Sequence, residues 1–165
     1  MIRLRALTIS VTLVAWLWGV VPSVSAEEFR AKVSRVLDGD TVEVRFNGRT
    51  QRIELRGIDC PELRQPYGRQ AKRAVRAMVS GIRVGVRTYE KDEQGQVLAD
   101  LFIDRGRRVS QILLKEGLGW RTRSGPEDEV LDKAEAEARY AKRGLWSERN
   151  PVAPWVYRAS KSRTR

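Results

Sequence analysis

Two short segments carry residues whose types and spacing can do chemistry: Asp38-Gly39-Asp40-Thr41 and Asp59-Cys60-Pro61-Glu62. Each puts two carboxylates within four residues, beside glycine or proline, where strands turn or end. Clustered carboxylates bind hard cations such as Ca²⁺, with backbone carbonyls and water completing six to eight oxygen ligands. Asp-Gly alone is also an ordinary hairpin turn, so the first segment has chemical meaning only if the fold brings the second beside it. If the first and third strands are neighbours, Asp40 and Asp59 approach each other.

Composition removes most other chemistries. The 165 residues contain no histidine and one cysteine, Cys60. That excludes a Ser-His-Asp triad, a histidine base, imidazole or four-cysteine zinc sites, iron-sulfur clusters and an intramolecular disulfide. Any metal here is bound by oxygen. With 32 Lys+Arg against 21 Asp+Glu the formal charge is +11, while 41% hydrophobic residues suffice for a globular core. Such a chain suits a polyanionic partner, nucleic acid or another envelope polyanion.

The elements that must position the carboxylates follow from periodicity. Phe29–Leu37, Thr41–Phe46 and Gln51–Ile58 alternate as strands around the turn dipeptides Asp38-Gly39 and Asn47-Gly48. Val84, Val86 and Thr88 mark a fourth strand, and Val97–Ile103 a fifth. Helices are expected over Gly68–Ser80, from Val109 to the stop at Gly117, and from Leu131 to the stop at Gly144. Arg3 and Arg5 followed by an uncharged run from Ala6 to Val21 and by Val24-Ser25-Ala26 predict a signal peptide cleaved after Ala26. Its roughly 16 apolar residues rise about 24 Å as a helix, short of a hydrocarbon core of about 30 Å. The expected organisation is a signal peptide over 1–26, one domain over 27–150, and over 151–165 a strap docked around Trp155 ending in a frayed basic tail. The processed protein is then secreted or periplasmic, a monomer, and without a membrane span.

The motifs DGDTV at 38–42, GIDCPE at 57–62, the helix near Gly68, the polar loop at 92–96 and KRGLW at 142–146 occur in one order. In that order the chain, from about Phe29 to Trp146, resembles the staphylococcal nuclease-like (thermonuclease) domains. The resemblance implies an α+β, mainly β fold, a five-stranded OB-type barrel with three α-helices, in agreement with the element count. It also implies a Ca²⁺-dependent endonuclease that hydrolyses DNA and RNA phosphodiesters to leave 3′-phosphate ends. On this resemblance Asp40 and Asp59 match calcium ligands, Cys60 stands where a backbone carbonyl is the next ligand, and Glu62 matches the proposed general base.

The family's two catalytic arginines fall on Glu54 and Gln96, so neither is arginine here. A guanidinium on a transferring phosphoryl group is worth about 10³ to 10⁵ in rate, and weak or altered activity is expected. Arg52 and Arg56, on the strand face of Glu54, are candidate replacements. Glu54 itself is a further acidic ligand or the partner of a salt bridge to one of them. The basic helix face with Arg69 and Arg73, and the segment Trp120-Arg121-Thr122-Arg123, suit a groove for single-stranded nucleic acid. Trp146 and Trp155 read as packing residues. The competing expectation is a catalytically inactive OB-type module that binds nucleic acid or another polyanion without cutting it.

Overall fold

The computed structural model describes residues 27–91, 96–122 and 127–162. The expected signal peptide, most of the 92–96 loop and Arg123 lie outside them. Within the described residues the strands are β1 (Glu28–Val36), β2 (Thr41–Phe46), β3 (Arg49–Leu55), β4 (Ile58–Asp59), β5 (Arg83–Lys91), β6 (Val97–Ile103), β7 (Arg107–Arg108) and β8 (Trp120–Arg121). The helices are α1 (Gly68–Val79), α2 (Val109–Lys115), α3 (Glu129–Tyr140) and α4 (Pro154–Ser162). None is long and apolar enough to cross a membrane.

The sheet runs β3-β2-β1-β5-β6 and closes on itself where β3 pairs parallel with β6, Glu54 opposite Leu98 and Leu55 opposite Ala99. Closure leaves an interior that the inward side chains of every barrel strand must fill. Val42, Val44, Ile53, Leu55, Val84, Val86, Ala99 and Leu101 do so and are almost fully buried. Ala71, Val75 and Val79 of α1, Leu113 and Leu114 of α2, and Leu131 of α3 complete the core. The β2–β3 turn has φ of 48° at Asn47 and 75° at Gly48, the left-handed pair that a two-residue type I′ hairpin requires.

The five barrel strands and the first three helices lie where the sequence pattern puts them, and the fold is the expected OB-type barrel. Three details differ. The run expected as one strand from Gln51 to Ile58 is broken by Gly57 at φ +78°, after which β4 leaves the barrel to pair with β8. β1 and β3 are not neighbours, because β2 lies between them. Pro154–Ser162 forms a fourth helix that the sequence pattern did not predict, with Pro154 at its first turn, where a missing N–H costs nothing, and residues 163–165 of the expected tail lie outside the described residues.

Candidate active site

The first acidic corner is built by Asp38. Its Oδ1 accepts the amides of Asp40 at 3.2 Å and Thr41 at 2.7 Å, an Asx-type turn that fixes the strand entry. Gly39 is required by space: a Cβ there would lie 2.6 Å from the Cβ of Cys60 and 2.7 Å from that of Ala71. This close approach, and not strand neighbourhood, brings the two motifs together. Asp40 Oδ2 accepts the Cys60 amide at 2.5 Å, and its Oδ1 accepts the Thr41 hydroxyl at 3.2 Å. The Asp40 carbonyl accepts Leu55 N–H at 2.8 Å, which ties the corner to the end of β3. Burial, reinforced by the charges of Asp38 and Asp59, holds the Asp40 carboxyl well above the usual carboxylate range. The buried Cys60 thiol is likewise pushed up by burial.

The second corner is held by Gln65 and Gly68. Gln65 Oε1 accepts the Glu62 amide at 2.8 Å, and its Nε2 donates to the Val152 carbonyl at 3.2 Å. The first turn of α1 lies directly on the loop, so that a Cβ at Gly68 would be 2.0 Å from the Glu62 carbonyl oxygen. Asp59 and Glu62 both face a cation absent from the sequence-based site. Arg158 of α4 donates to Asp59 Oδ1 at 3.1 Å and Oδ2 at 2.7 Å, and to Glu62 Oε1 at 2.9 Å. Hydrogen bonds from its guanidinium to Asp59, and then to Glu62, raise the Arg158 pKa above that of an ordinary arginine against the opposing effect of burial. Nothing in the sequence pattern marks Arg158, one basic residue among several beyond Pro151, because its partners lie 96 and 99 positions away.

Asp38, Asp40, Asp59, Glu62 and Arg158 line a cavity of about 570 Å³ whose opposite wall carries Arg52, Glu54, Gln96 and Thr122. Gln96 Nε2 donates to Glu54 Oε2 at 3.3 Å, so the two positions face each other across the β3–β6 seam. Arg52 reaches the cavity, whereas Arg56 stacks its guanidinium 4.1 Å from the centre of the Tyr89 ring. The donor set is chemically suited to a hard cation: carboxylates, a hydroxyl and backbone carbonyls. Among the described residues, however, no three acidic or cysteine side chains converge closely enough to hold a metal as they stand. Asp59 is already satisfied by Arg158.

A second cleft, of about 1150 Å³, adjoins Asp59 and Arg158 and is lined by Trp120, Arg121, Arg139 and Trp155. Trp120 is half-buried, edge-on to Trp146 at 4.4 Å and to Trp155 at 5.7 Å. Arg121 does not face solvent: its side chain is 8% exposed, paired with Asp132 at 3.0 Å and donating to the carbonyls of Gly57 and Thr122. It braces β8 against α3 through these contacts. Arg69 and Arg73 stand exposed on α1, and Arg123 lies outside the described residues.

A family model described as staphylococcal nuclease homologue matches residues 52–148. An uncharacterized endonuclease of Escherichia coli is 38% identical over 134 residues, 81% of this chain and 88% of that protein. A micrococcal nuclease of Shigella flexneri is 36% identical over 148 residues, 83% of this chain and 85% of its own length. A staphylococcal-like nuclease of Arabidopsis thaliana is 38% identical over 110 residues, 67% of this chain and 34% of that protein.

Proposed function

The chain belongs to the staphylococcal nuclease family, and from that premise we propose that it is an exported Ca²⁺-dependent endonuclease of reduced turnover, acting on DNA or RNA with a preference for single strands. Asp40, Asp59 and the Cys60 carbonyl are the residues to hold the ion. A bound Ca²⁺ supplies positive charge to the phosphoryl oxygen and to the transition state. Glu62 is the base that takes a proton from the attacking water, for which its carboxylate must be released from Arg158. Arg52, which lines the cavity, is a better placed phosphate ligand than Arg56, whose guanidinium is spent on Tyr89. The exposed arginines of α1, Arg69 and Arg73, supply backbone-tracking charge.

The observation that carries the reading is the meeting of the two acidic motifs through the hydrogen bond between Asp40 and the Cys60 amide, with Asp59 and Glu62 on the same cavity. Cleavage of single-stranded DNA in Ca²⁺ by wild type and by Glu62→Gln tests it; full activity in the variant would sink the assignment. The Glu54–Gln96 hydrogen bond supports a second reading, a nuclease fold converted to a binding module. Under that reading nucleic acid binds without Ca²⁺ and is not cut.

A further inference from the structure

The cation paired with Asp59 and Glu62 comes from the helix with the fewest buried residues among those described. Only Pro154 of α4 is buried, while Trp155 and Val156 are 44% and 52% exposed. Beyond the anchored start at Ala153 and Pro154, with the Val152 carbonyl accepting from Gln65, the helix body is held by the edge contact of Trp155 with Trp120 and the three hydrogen bonds of Arg158. An element with so few apolar contacts belongs to the low-stability end of a fold and opens without unfolding the rest. The docking of the helix body therefore depends on the charge of the pocket it closes.

We infer that Arg158 is a tethered counter-cation, and α4 a latch, that occupies Asp59 and Glu62 until a divalent cation displaces it. The inference rests on the reading of Asp40 and Asp59 as the Ca²⁺ ligands. Both Asp59 oxygens are engaged by the guanidinium, so the metal and Arg158 compete for one carboxylate. The two cations also repel each other at contact distance. The same guanidinium nitrogen, Nη1, bonds both Asp59 Oδ1 and Glu62 Oε1. Because one nitrogen bridges both carboxylates, undocking of α4 that withdraws the guanidinium releases Asp59 and Glu62 together. Charge-assisted, bidentate pairing makes arginine a stronger latch than lysine would be.

Calorimetric titration of the purified protein with Ca²⁺ reads the competition directly. Arg158→Gln is expected to bind Ca²⁺ about ten-fold more tightly than wild type, with Arg158→Lys between them. Hydrogen exchange adds a readout that needs no variant: Ca²⁺ should lower the protection of the α4 amides in wild type. Equal Ca²⁺ affinities in wild type and Arg158→Gln, with binding abolished by Asp40→Asn, would overturn the latch and leave the ligand assignment standing. Unchanged α4 protection on Ca²⁺ binding would overturn it too. The absence of Ca²⁺ binding in all the proteins would overturn both.

Discussion

Gly68→Ala tests whether helix packing sets the position of Glu62. The new Cβ would lie 2.0 Å from the Glu62 carbonyl oxygen, 2.6 Å from its carbon and 2.8 Å from the Pro61 carbonyl oxygen, all backbone atoms. No rotamer change can relieve this, so α1 and the 61–62 loop must separate by about 1 Å to reach a tolerable contact. Overpacking of this kind costs about 1–3 kcal/mol, and with a urea slope of about 1–3 kcal/mol/M the midpoint falls by about 1 M. Gly81→Ala is the control: its φ is +77° but nothing lies within 4 Å, so it loses only about 1 kcal/mol to backbone strain. A displacement of about 1 Å at a catalytic group can cost about 100-fold in rate, so Gly68→Ala should lose activity beyond its stability loss and Gly81→Ala should not. Urea melts and a cleavage assay on both variants measure this. A Gly68→Ala protein no less stable than Gly81→Ala, with unchanged turnover, would refute the reasoning.

Three more outcomes are expected. Because the folded pKa of Asp40 is raised, its contribution is favourable below the ordinary carboxylate pKa of about 4 and is lost as pH rises through the folded value. Asp40→Asn should therefore gain stability relative to wild type as pH increases from about 4, and a pH-independent difference in urea melts would contradict this. If Glu54 and Gln96 limit turnover, Glu54→Arg with Gln96→Arg should raise single-turnover cleavage by about 10³-fold or more, and no gain in a folded, Ca²⁺-binding variant would reject that cause. Replacing Arg69 and Arg73 with Gln should lower the salt slope of DNA binding by about 2 without a change in stability, whereas Arg121→Met should cost about 1.5–3 kcal/mol by urea melt; the reverse pattern would exchange their roles.

What was legible in the sequence is what periodicity and turn chemistry encode locally. Val42 and Val44, Ile53 and Leu55, and Val84 and Val86 alternate because one face of each strand fills the barrel, and Asn47-Gly48 declares its own turn. The acidic motifs were visible as residue types, but the contact between them rests on Gly39 packing against Cys60, a tertiary fact with no local signature. Arg121 looks like a surface cation until Asp132 and the Gly57 carbonyl are seen around it. Trp155, Val156 and Ala159 recur at helical spacing, but Pro151 and Pro154 beside them read as a chain break, so α4 was not expected as a helix. Arg158 was illegible because its partners lie far away in sequence, although among the described residues it is the cation bonded to the carboxylates of both Asp59 and Glu62.

The proposed nuclease function places hydrolysis of nucleic acid in the pocket joining Asp40, Asp59 and Glu62. Digestion of single-stranded DNA by the purified protein, in Ca²⁺ and in chelator, with Glu62→Gln alongside, tests it most directly. Slow cutting in Ca²⁺ that disappears with chelator and in the variant is expected. Binding of DNA without any cutting, or cutting that survives Glu62→Gln, would contradict it.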